Sequence, residues 1–394
     1  MADVISDKNE IEVSVVMPCL NEEEMIGICI EKAKKAFKDH NIKGEIIVSD
    51  NGSKDKSVEI ALNSGARVVH QPLKGYGNAY MKGIESAEGK YIVMGDADNT
   101  YDFSEIHKFI EPLKKGADMV MGSRLKGKIH KGAMPFLHRY IGNPVLSGIL
   151  ELMFKAKVSD AHCGMRSFKK EVFDKLCLKT QGMEFASEMI IKAAKAKLKI
   201  VDIPITYYPR EGESKLRTFR DGWRHLRFML LLSPEHLFLW PGFIMFVFGF
   251  VSLISLVRGP IVIMGHDFDL HMMILSTFFT ISGLQILYLG LFTQIYSHDL
   301  FSADNKLVAL FIKYFTLERG AYIGLLFLLA GFLFCLKVYY NYVHAIIGNS
   351  VYYNARFAVF GVTLMISGFQ ILFSSFYISF LEVKKEHEDF NYLS

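Results

Sequence analysis

Three carboxylates, Asp50, Asp96 and Asp98, stand at the ends of short apolar runs in this 394-residue chain. Asp50 closes Glu45-Ile46-Ile47-Val48-Ser49, and Asp96-Ala97-Asp98 closes Tyr91-Ile92-Val93-Met94-Gly95. Runs of this kind read as buried strands. In an open α/β sheet, ligands sit beyond the carboxyl ends of the strands, so carboxylates delivered there suit a nucleotide and its metal. Asp96 and Asp98, separated by a small alanine, can place two carboxylates near one Mg²⁺ or Mn²⁺, ions that prefer carboxylate and phosphate oxygen. An isolated D-x-D more often makes a solvated turn. The strand in front of it, with Asp50-Asn51-Gly52-Ser53-Lys54-Asp55 upstream, favours the metal. Asp50 suits either a nucleobase or ribose contact or a turn cap, a part that Ser53 and Asp55 also fit.

Strands must carry these groups to one edge. Apolar runs at 13–17, 45–49, 67–70 and 91–94 alternate with helical periodicity at 22–40, 56–64 and 76–86. Further elements fall at 104–115, 119–122, 144–155, 170–179, 186–196 and 200–207. The alternation predicts an α/β domain with crossover helices packed on a mostly parallel sheet.

Composition divides the chain. With 51% hydrophobic residues and a mean hydropathy of +0.22, it is too apolar for a purely soluble protein. Four apolar stretches, near 237–257, 272–295, 322–339 and 357–381, approach or exceed the roughly 20 residues that cross a bilayer core. Basic residues bunch ahead of the first of them, at Arg210, Lys215, Arg217, Arg220, Arg224 and Arg227, which fits an anionic membrane surface better than nucleic acid. Segment 218–232 sets Arg220, Arg224 and Arg227 on one stripe beside Trp223, Phe228 and Leu231, the pattern of an interfacial amphipathic helix. Segment 302–314 is a second candidate. The connections 258–271 and 340–356 carry Arg258 and Arg356, whereas Lys306, Lys313 and Arg319 lie in the middle connection and Lys384 and Lys385 in the tail. This asymmetry predicts a multi-pass membrane protein with its catalytic domain on the cytoplasmic face. A polar, acidic start without a signal-peptide pattern agrees, and five cysteines without a C-x-x-C pair suit a reduced compartment. The expected division is 1–215 for the catalytic domain, 216–234 for the interfacial helix and 235–394 for the membrane domain.

Ordered motifs then carry a resemblance. Pro18-Cys19-Leu20-Asn21-Glu22, Lys74-Gly75-Tyr76-Gly77-Asn78-Ala79, Asp96-Ala97-Asp98, Gly122-Ser123-Arg124, Asp160-Ala161-His162-Cys163-Gly164-Met165-Arg166 and Arg210-Glu211-Gly212-Glu213-Ser214-Lys215 succeed one another. Over about residues 11–232 the chain resembles family 2 glycosyltransferases of the GT-A (Rossmann-like) fold. Within them it looks like the polyprenyl-phosphate glycosyltransferases, which include dolichol-phosphate mannose and glucose synthases. The resemblance implies nucleotide-sugar contacts from Pro18, Asn21, Glu22, Asp50, Gly75, Asp96, Ala97, Asp98, Arg210 and Lys215, with Mg²⁺ or Mn²⁺ on Asp96 and Asp98. It implies acceptor-phosphate contacts from Ser123, Arg124 and Arg139, where a guanidinium fork suits phosphate oxygens. Asp160, Arg166 and Glu184 would line the sugar site, although Asp160 and Arg166 also read as a structural ion pair. Asn99 and Thr100 stand where some mannose synthases place a metal-contacting Gln.

The implied reaction moves one hexose from a nucleotide sugar to polyprenyl or dolichyl phosphate with inversion. A UDP-sugar such as UDP-glucose is favoured and GDP-mannose is next. Catalytic weight falls on Asp98, Arg124 and Arg139, and losing Asp98 or Arg124 is expected to hurt turnover far more than folding. The expected partners are therefore the donor, the lipid phosphate and the membrane, with no nucleic acid. The spans are open to three readings, an anchor, a lipid groove or the contact of a homo-oligomer. Two rivals are a processive polysaccharide synthase and a non-enzymatic scaffold or flippase. The first would carry Q-x-x-R-W near the interface, which Trp223-Arg224 lacks, and the intact acidic set speaks against the second.

Overall fold

The computed structural model describes residues 11–210, 218–296, 310–311, 314–344 and 351–393. Lys215, Arg217, Lys306 and Lys313, most of segment 302–314 and the acidic start of the chain lie outside the described residues, as do the side chains of Lys384 and Lys385. Two compact units are present, Met1–Met229 and Leu230–Ser394.

The first unit is built on a seven-stranded sheet. Its elements run β1 (Val13–Cys19), α1 (Ile26–Asp39), β2 (Gly44–Asp50), α2 (Ser57–Asn63), β3 (Arg67–His70), α3 (Tyr76–Glu85) and β4 (Tyr91–Met94). There follow α4 (Ile106–Lys114), β5 (Met119–Ile129), α5 (Asn143–Phe154), β6 (Arg166–Lys169), α6 (Lys170–Leu176), α7 (Phe185–Lys195), β7 (Ile200–Tyr207) and α8 (Thr218–Leu231). The strand order is β3-β2-β1-β4-β6-β5-β7. β1 is covered on both faces, and Val13, Val15, Val16 and Met17 have no exposed surface, which is why it reads as an apolar run broken only by the buried Ser14 rather than as an alternation.

Register decides where the site falls. β1 pairs in parallel with β2, Cys19 opposite Asp50, and with β4, Val16 opposite Met94. The carboxyl ends of these neighbouring strands therefore emerge together, with Asp50 at one and the Asp96-Ala97-Asp98 turn just past another. The sheet is more mixed than the alternation predicts, because β6 runs antiparallel to both β4 and β5. Arg166 and Ser167 are fully buried in this strand, so its polar sequence hides a central position.

A continuous helical stretch leads from residue 136 through a π-helical turn, His138–Gly142, into α5. Leu137, Ile141, Val145 and Leu152 are exposed along it at spacings of four, four and seven, beside exposed Phe136 and Tyr140. Ordinary amphipathic logic puts such a stripe against a core; here it faces outward.

In the second unit four helices among the described residues are long and apolar enough to cross a membrane: Glu235–Val257, Leu270–Tyr296, Leu317–Val343 and Asn354–Leu381. They pack through small residues, as helices do where lipid removes the hydrophobic drive. A Cβ at Gly249 would lie 2.5 Å from Thr280 N, and one at Gly324 would lie 2.9 Å from Gly368 O. Thr277 and Thr363 share a hydrogen bond at 3.0 Å, and Gln370 Nε2 donates to Gln285 Oε1 at 3.1 Å. A short hairpin, Ile261–Ile263 with His266–Phe268, joins the first two spans. Arg356 is enclosed and pairs with Asp269 at 2.7 Å.

Candidate active site

At the end of β2, Asp50 turns back on its own loop. Its carboxylate accepts from Gly52 N at 3.1 Å and Ser53 N at 2.9 Å, and it meets His70 Nδ1 at 3.2 Å. Burial opposes ionisation, but these hydrogen bonds win and hold the carboxyl below its usual range. Asp50 thus takes the turn-capping part in this structure. Next to it Asn51 donates to Gln71 O and Leu73 O and accepts from Gly75 N at 2.8 Å, pinning the loop that enters α3.

Gly75 and Gly77 open α3 for a reason the sequence does not display. A Cβ at Gly75 would collide with Gln181 O, and one at Gly77 with Thr180 O. The Gln181 carbonyl accepts from Gly77 N at 2.9 Å and from Asn78 N at 3.3 Å. The glycines therefore admit the 180–181 backbone, which caps amides that a helix start would otherwise hold out to a phosphate.

After β1, Pro18 leads into Asn21, whose backbone is left-handed at φ 55°. Asn21 N donates to Ser53 Oγ and Asn21 Oδ1 accepts from Lys54 N, so the β1 and β2 loops are laced together. Glu22 Oε1 accepts from Arg210 Nη2 at 2.8 Å, and Arg210 Nη1 lies 3.3 Å from Asp98 Oδ2. Arg210 thus bridges the opening loop and the acidic turn.

The acidic turn itself is enclosed. Ala97 is 2% and Asp98 8% exposed. Asp98 Oδ1 accepts from Thr100 N at 3.2 Å and Thr100 Oγ1 at 2.6 Å, leaving Oδ2 toward Arg210. Asp96 Oδ1 accepts from the hydroxyls of Tyr76 at 3.0 Å and Tyr80 at 3.2 Å. Burial, then the Asp98 charge, pushes the Asp96 carboxyl up to about 6. Its other oxygen, Oδ2, faces Gly164, where a Cβ would come within 2.7 Å of it. Each carboxylate therefore keeps one oxygen clear of uncharged donors, and a glycine leaves room beside one of them. That donor set fits a hard divalent ion whose remaining ligands come from a diphosphate. No cluster of three His, Cys, Asp or Glu side chains suited to a metal occurs among the described residues. Asn99 adds no third ligand here, because its Oδ1 accepts from Lys32 Nζ at 2.8 Å.

The acceptor-side residues are rearranged relative to expectation. Asp160 pairs with Arg124 rather than Arg166: Arg124 Nε donates to Oδ2 at 2.7 Å, Nη2 to Oδ1 at 2.8 Å and the Arg124 amide to Oδ2 at 3.1 Å. Burial disfavours the Asp160 charge, but Arg124 overcomes it and keeps the carboxyl below its usual range. Arg124 is only 7% exposed and lies over the Tyr207 ring at 5.1 Å, so most of its fork is committed within the protein. Ser123 Oγ accepts from Ser159 Oγ at 2.7 Å, closing the stem of the 125–158 excursion beneath the same pair. Arg166 has no exposed surface and donates to Ala186 O and Cys163 O, which makes it a brace of the 160–166 segment rather than a wall of an open site. Arg139 stands on the π-helical turn, its guanidinium over the Tyr140 ring at 5.3 Å.

Glu184 accepts from Arg224 Nε of α8 at 2.9 Å. Glu188 is used up by Lys179 N, Thr180 N and Thr180 Oγ1 and by Lys192. Sequence reasoning missed Tyr76, Tyr80 and Tyr101. The Tyr101 hydroxyl accepts from Gly164 N at 2.8 Å and fixes the backbone opposite Asp96. The i, i+4 spacing of Tyr76 and Tyr80 in the first turns of α3 was the available signal.

An α/β sheet with an aspartate pair beyond a central strand, followed by apolar spans, is the arrangement expected of a membrane glycosyltransferase of the GT-A type. Comparisons with known proteins agree. Residues 14–177 match the model for glycosyl transferase family 2, and residues 291–382 match the C-terminal transmembrane region of family 2 glycosyltransferases. The low-salt glycan biosynthesis hexosyltransferase Agl6 of Haloferax volcanii is 42% identical over 369 residues, covering 93% of this chain and 88% of that one. A dolichyl-phosphate hexose transferase of the same organism is 32% identical over 213 residues, covering 54% of this chain and 89% of the relative. Among solved structures, glucosyl-3-phosphoglycerate synthase from Mycobacterium tuberculosis aligns with a TM-score of 0.47 at 21% identity, over 56% of this chain and 79% of that one. The chain belongs to glycosyltransferase family 2, and it is a multi-pass membrane enzyme.

Proposed function

We propose that this enzyme transfers a single hexose from a nucleotide sugar to the phosphate of a membrane polyprenol or dolichol. The observation that carries the reading is the Asp96-Ala97-Asp98 turn, which presents one oxygen of each carboxylate beyond β4, in a chain that carries its own membrane spans. The name of the dolichyl-phosphate hexose transferase relative supports a lipid phosphate as acceptor. So does the outward apolar stripe of Leu137, Ile141, Val145 and Leu152, in a stretch from Arg124 to Leu150 that contains no acid.

A lipid phosphate is anionic near neutral pH and attacks an anomeric carbon without a strong general base. The residues then have to position the groups and manage charge. Mg²⁺ or Mn²⁺ on Asp96 and Asp98 would supply positive charge beside the leaving diphosphate. Pro18, Asn21, Glu22, Asp50 and Gly75 frame the nucleotide from the strand ends. Arg210 holds Glu22 and Asp98 and is the side chain at hand to take up diphosphate charge. Arg139 is the freer guanidinium for the acceptor phosphate, and Arg124, its fork held by Asp160, is the second. One displacement inverts the anomeric carbon. We assign 1–215 to catalysis, 216–234 to the membrane interface and 235–394 to the bilayer, with catalysis on the cytoplasmic side. A UDP-hexose is the favoured donor.

The test is nucleoside diphosphate release by the full chain in nanodiscs, with Mg²⁺ or Mn²⁺ and a panel of UDP- and GDP-hexoses, with and without polyprenyl phosphate. Release with one donor that depends on the lipid phosphate supports the reading. Equal release with and without lipid, or none with any donor, refutes it.

A further inference from the structure

We propose that Tyr76 and Tyr80 are positioning residues for the cation site, fixing the Asp96 carboxylate so that Oδ2 alone is offered to a divalent ion. The inference rests on the proposed reading of Asp96 and Asp98 as metal ligands. Both hydroxyls donate to the same oxygen, Oδ1, at 3.0 and 3.2 Å. Two donors on one oxygen set the rotation of the carboxylate about its bond to the chain, which a single donor does not. The other oxygen is turned to Gly164, where the missing Cβ leaves space 2.7 Å away, and it has no hydrogen-bond donor among the described residues. The Gly164 backbone is itself held, its amide donating to the Tyr101 hydroxyl at 2.8 Å.

The tyrosines are fixed in turn. They sit four residues apart on α3, so their side chains share a face. Their rings meet edge to face at 4.9 Å, and Tyr80 stacks on Phe185 with centroids 5.9 Å apart. Tyr80 has no exposed surface. A buried acid requires hydrogen-bond donors in any protein. The placement of both on one oxygen goes further than that requirement, since two donors shared between the oxygens would satisfy the acid and block the ion. Groups that orient a ligand carboxylate typically govern metal affinity by about 10- to 100-fold.

Removing the hydroxyls while keeping the rings isolates this role. Tyr76→Phe, Tyr80→Phe and the double variant of the full chain are compared with the parent for Mn²⁺ affinity by electron paramagnetic resonance, in the presence of UDP or GDP. Nucleotide affinity without metal and thermal melting are measured alongside. The expected result is Mn²⁺ binding about 10- to 100-fold weaker in the double variant and intermediate in the single variants. Metal-free nucleotide affinity stays at the parental value, and each single variant, which leaves Asp96 one donor, melts near the parent. Parental Mn²⁺ affinity in the double variant overturns the proposal, and so does a weakening of Mn²⁺ binding that is matched by an equal weakening of metal-free nucleotide binding. A parent chain that binds no Mn²⁺ with either nucleotide overturns the metal reading itself, which separates the two failures.

Discussion

The acids of the catalytic unit differ in how their oxygens are spent. Asp160 and Glu188 are spent on a buried arginine and on backbone amides and Asp50 caps its own turn, whereas Asp96 turns one oxygen to Gly164 and Asp98 turns one to Arg210. Asp98→Ala should lower turnover on the order of 100-fold or more, the scale of losing one preorganised charge-stabilising group. Its lost hydrogen bonds to the buried Thr100 and its lost pairing with Arg210 should cost a few kcal/mol at most, so the variant should fold with a lowered unfolding midpoint that does not account for the loss of turnover. Arg124 behaves differently from the sequence expectation. Arg124→Ala strands Asp160 in the interior and should cost about 3–5 kcal/mol, seen as a lower unfolding midpoint together with lost activity. The double change Arg124→Met with Asp160→Leu should recover much of that stability. The pH dependence has a definite sign. Asp160 has a lowered carboxyl in the folded state, so its stabilisation is present above the unfolded value of about 3.9 and fades as pH falls through the folded one. The double variant should accordingly lose less stability than the parent on acidification below about pH 4, which unfolding midpoints across pH would show. The aspartates at the strand ends were legible because residue type and position coincide. The partner of Arg124 was not, since it lies 36 residues away and two arginines compete for it.

At the level of elements, the parallel strands β1, β2, β3 and β4 and their crossover helices could be read from β-branched runs alternating with helical periodicity. β6 could not, because a fully buried Arg166 and Ser167 break the apolar pattern, and their satisfaction by Cys163 O, Ala186 O and Phe109 O is a tertiary fact. The start of α3 teaches the same point through glycine. Lys74-Gly75-Tyr76-Gly77 looks like a loop shaped for a ligand, yet its glycines yield to the backbone at 180–181. Gly77→Ala should therefore destabilise the catalytic unit by at least about 1–3 kcal/mol through overpacking. Thermal or denaturant unfolding of the purified chain measures it; a parental midpoint would show that the 180–181 segment moves aside without cost. The short hairpin between the first two spans was likewise hidden, with three-residue strands too brief to show a period.

Taken whole, the molecule joins two solvents. The catalytic unit gathers carboxylates at one sheet edge, and among the described residues the second unit supplies four helices of bilayer length whose close approaches rely on glycine, serine and threonine. This large-scale division was the most legible feature, because hydrophobic length needs no tertiary information. An apolar stripe turned outward on α5 and the stretch before it was not legible, since apolar periodicity alone cannot say which side a helix buries. A catalytic unit with such a surface, in a membrane-spanning chain, should act on a lipid. The decisive measurement is the mass spectrum of polyprenyl phosphate after incubation with the full chain, a divalent ion and the donor that supports nucleotide release. The account predicts one added hexose per lipid phosphate, absent with Asp98→Ala. A ladder of repeated hexose additions, or an unchanged lipid while the donor is consumed, would contradict it.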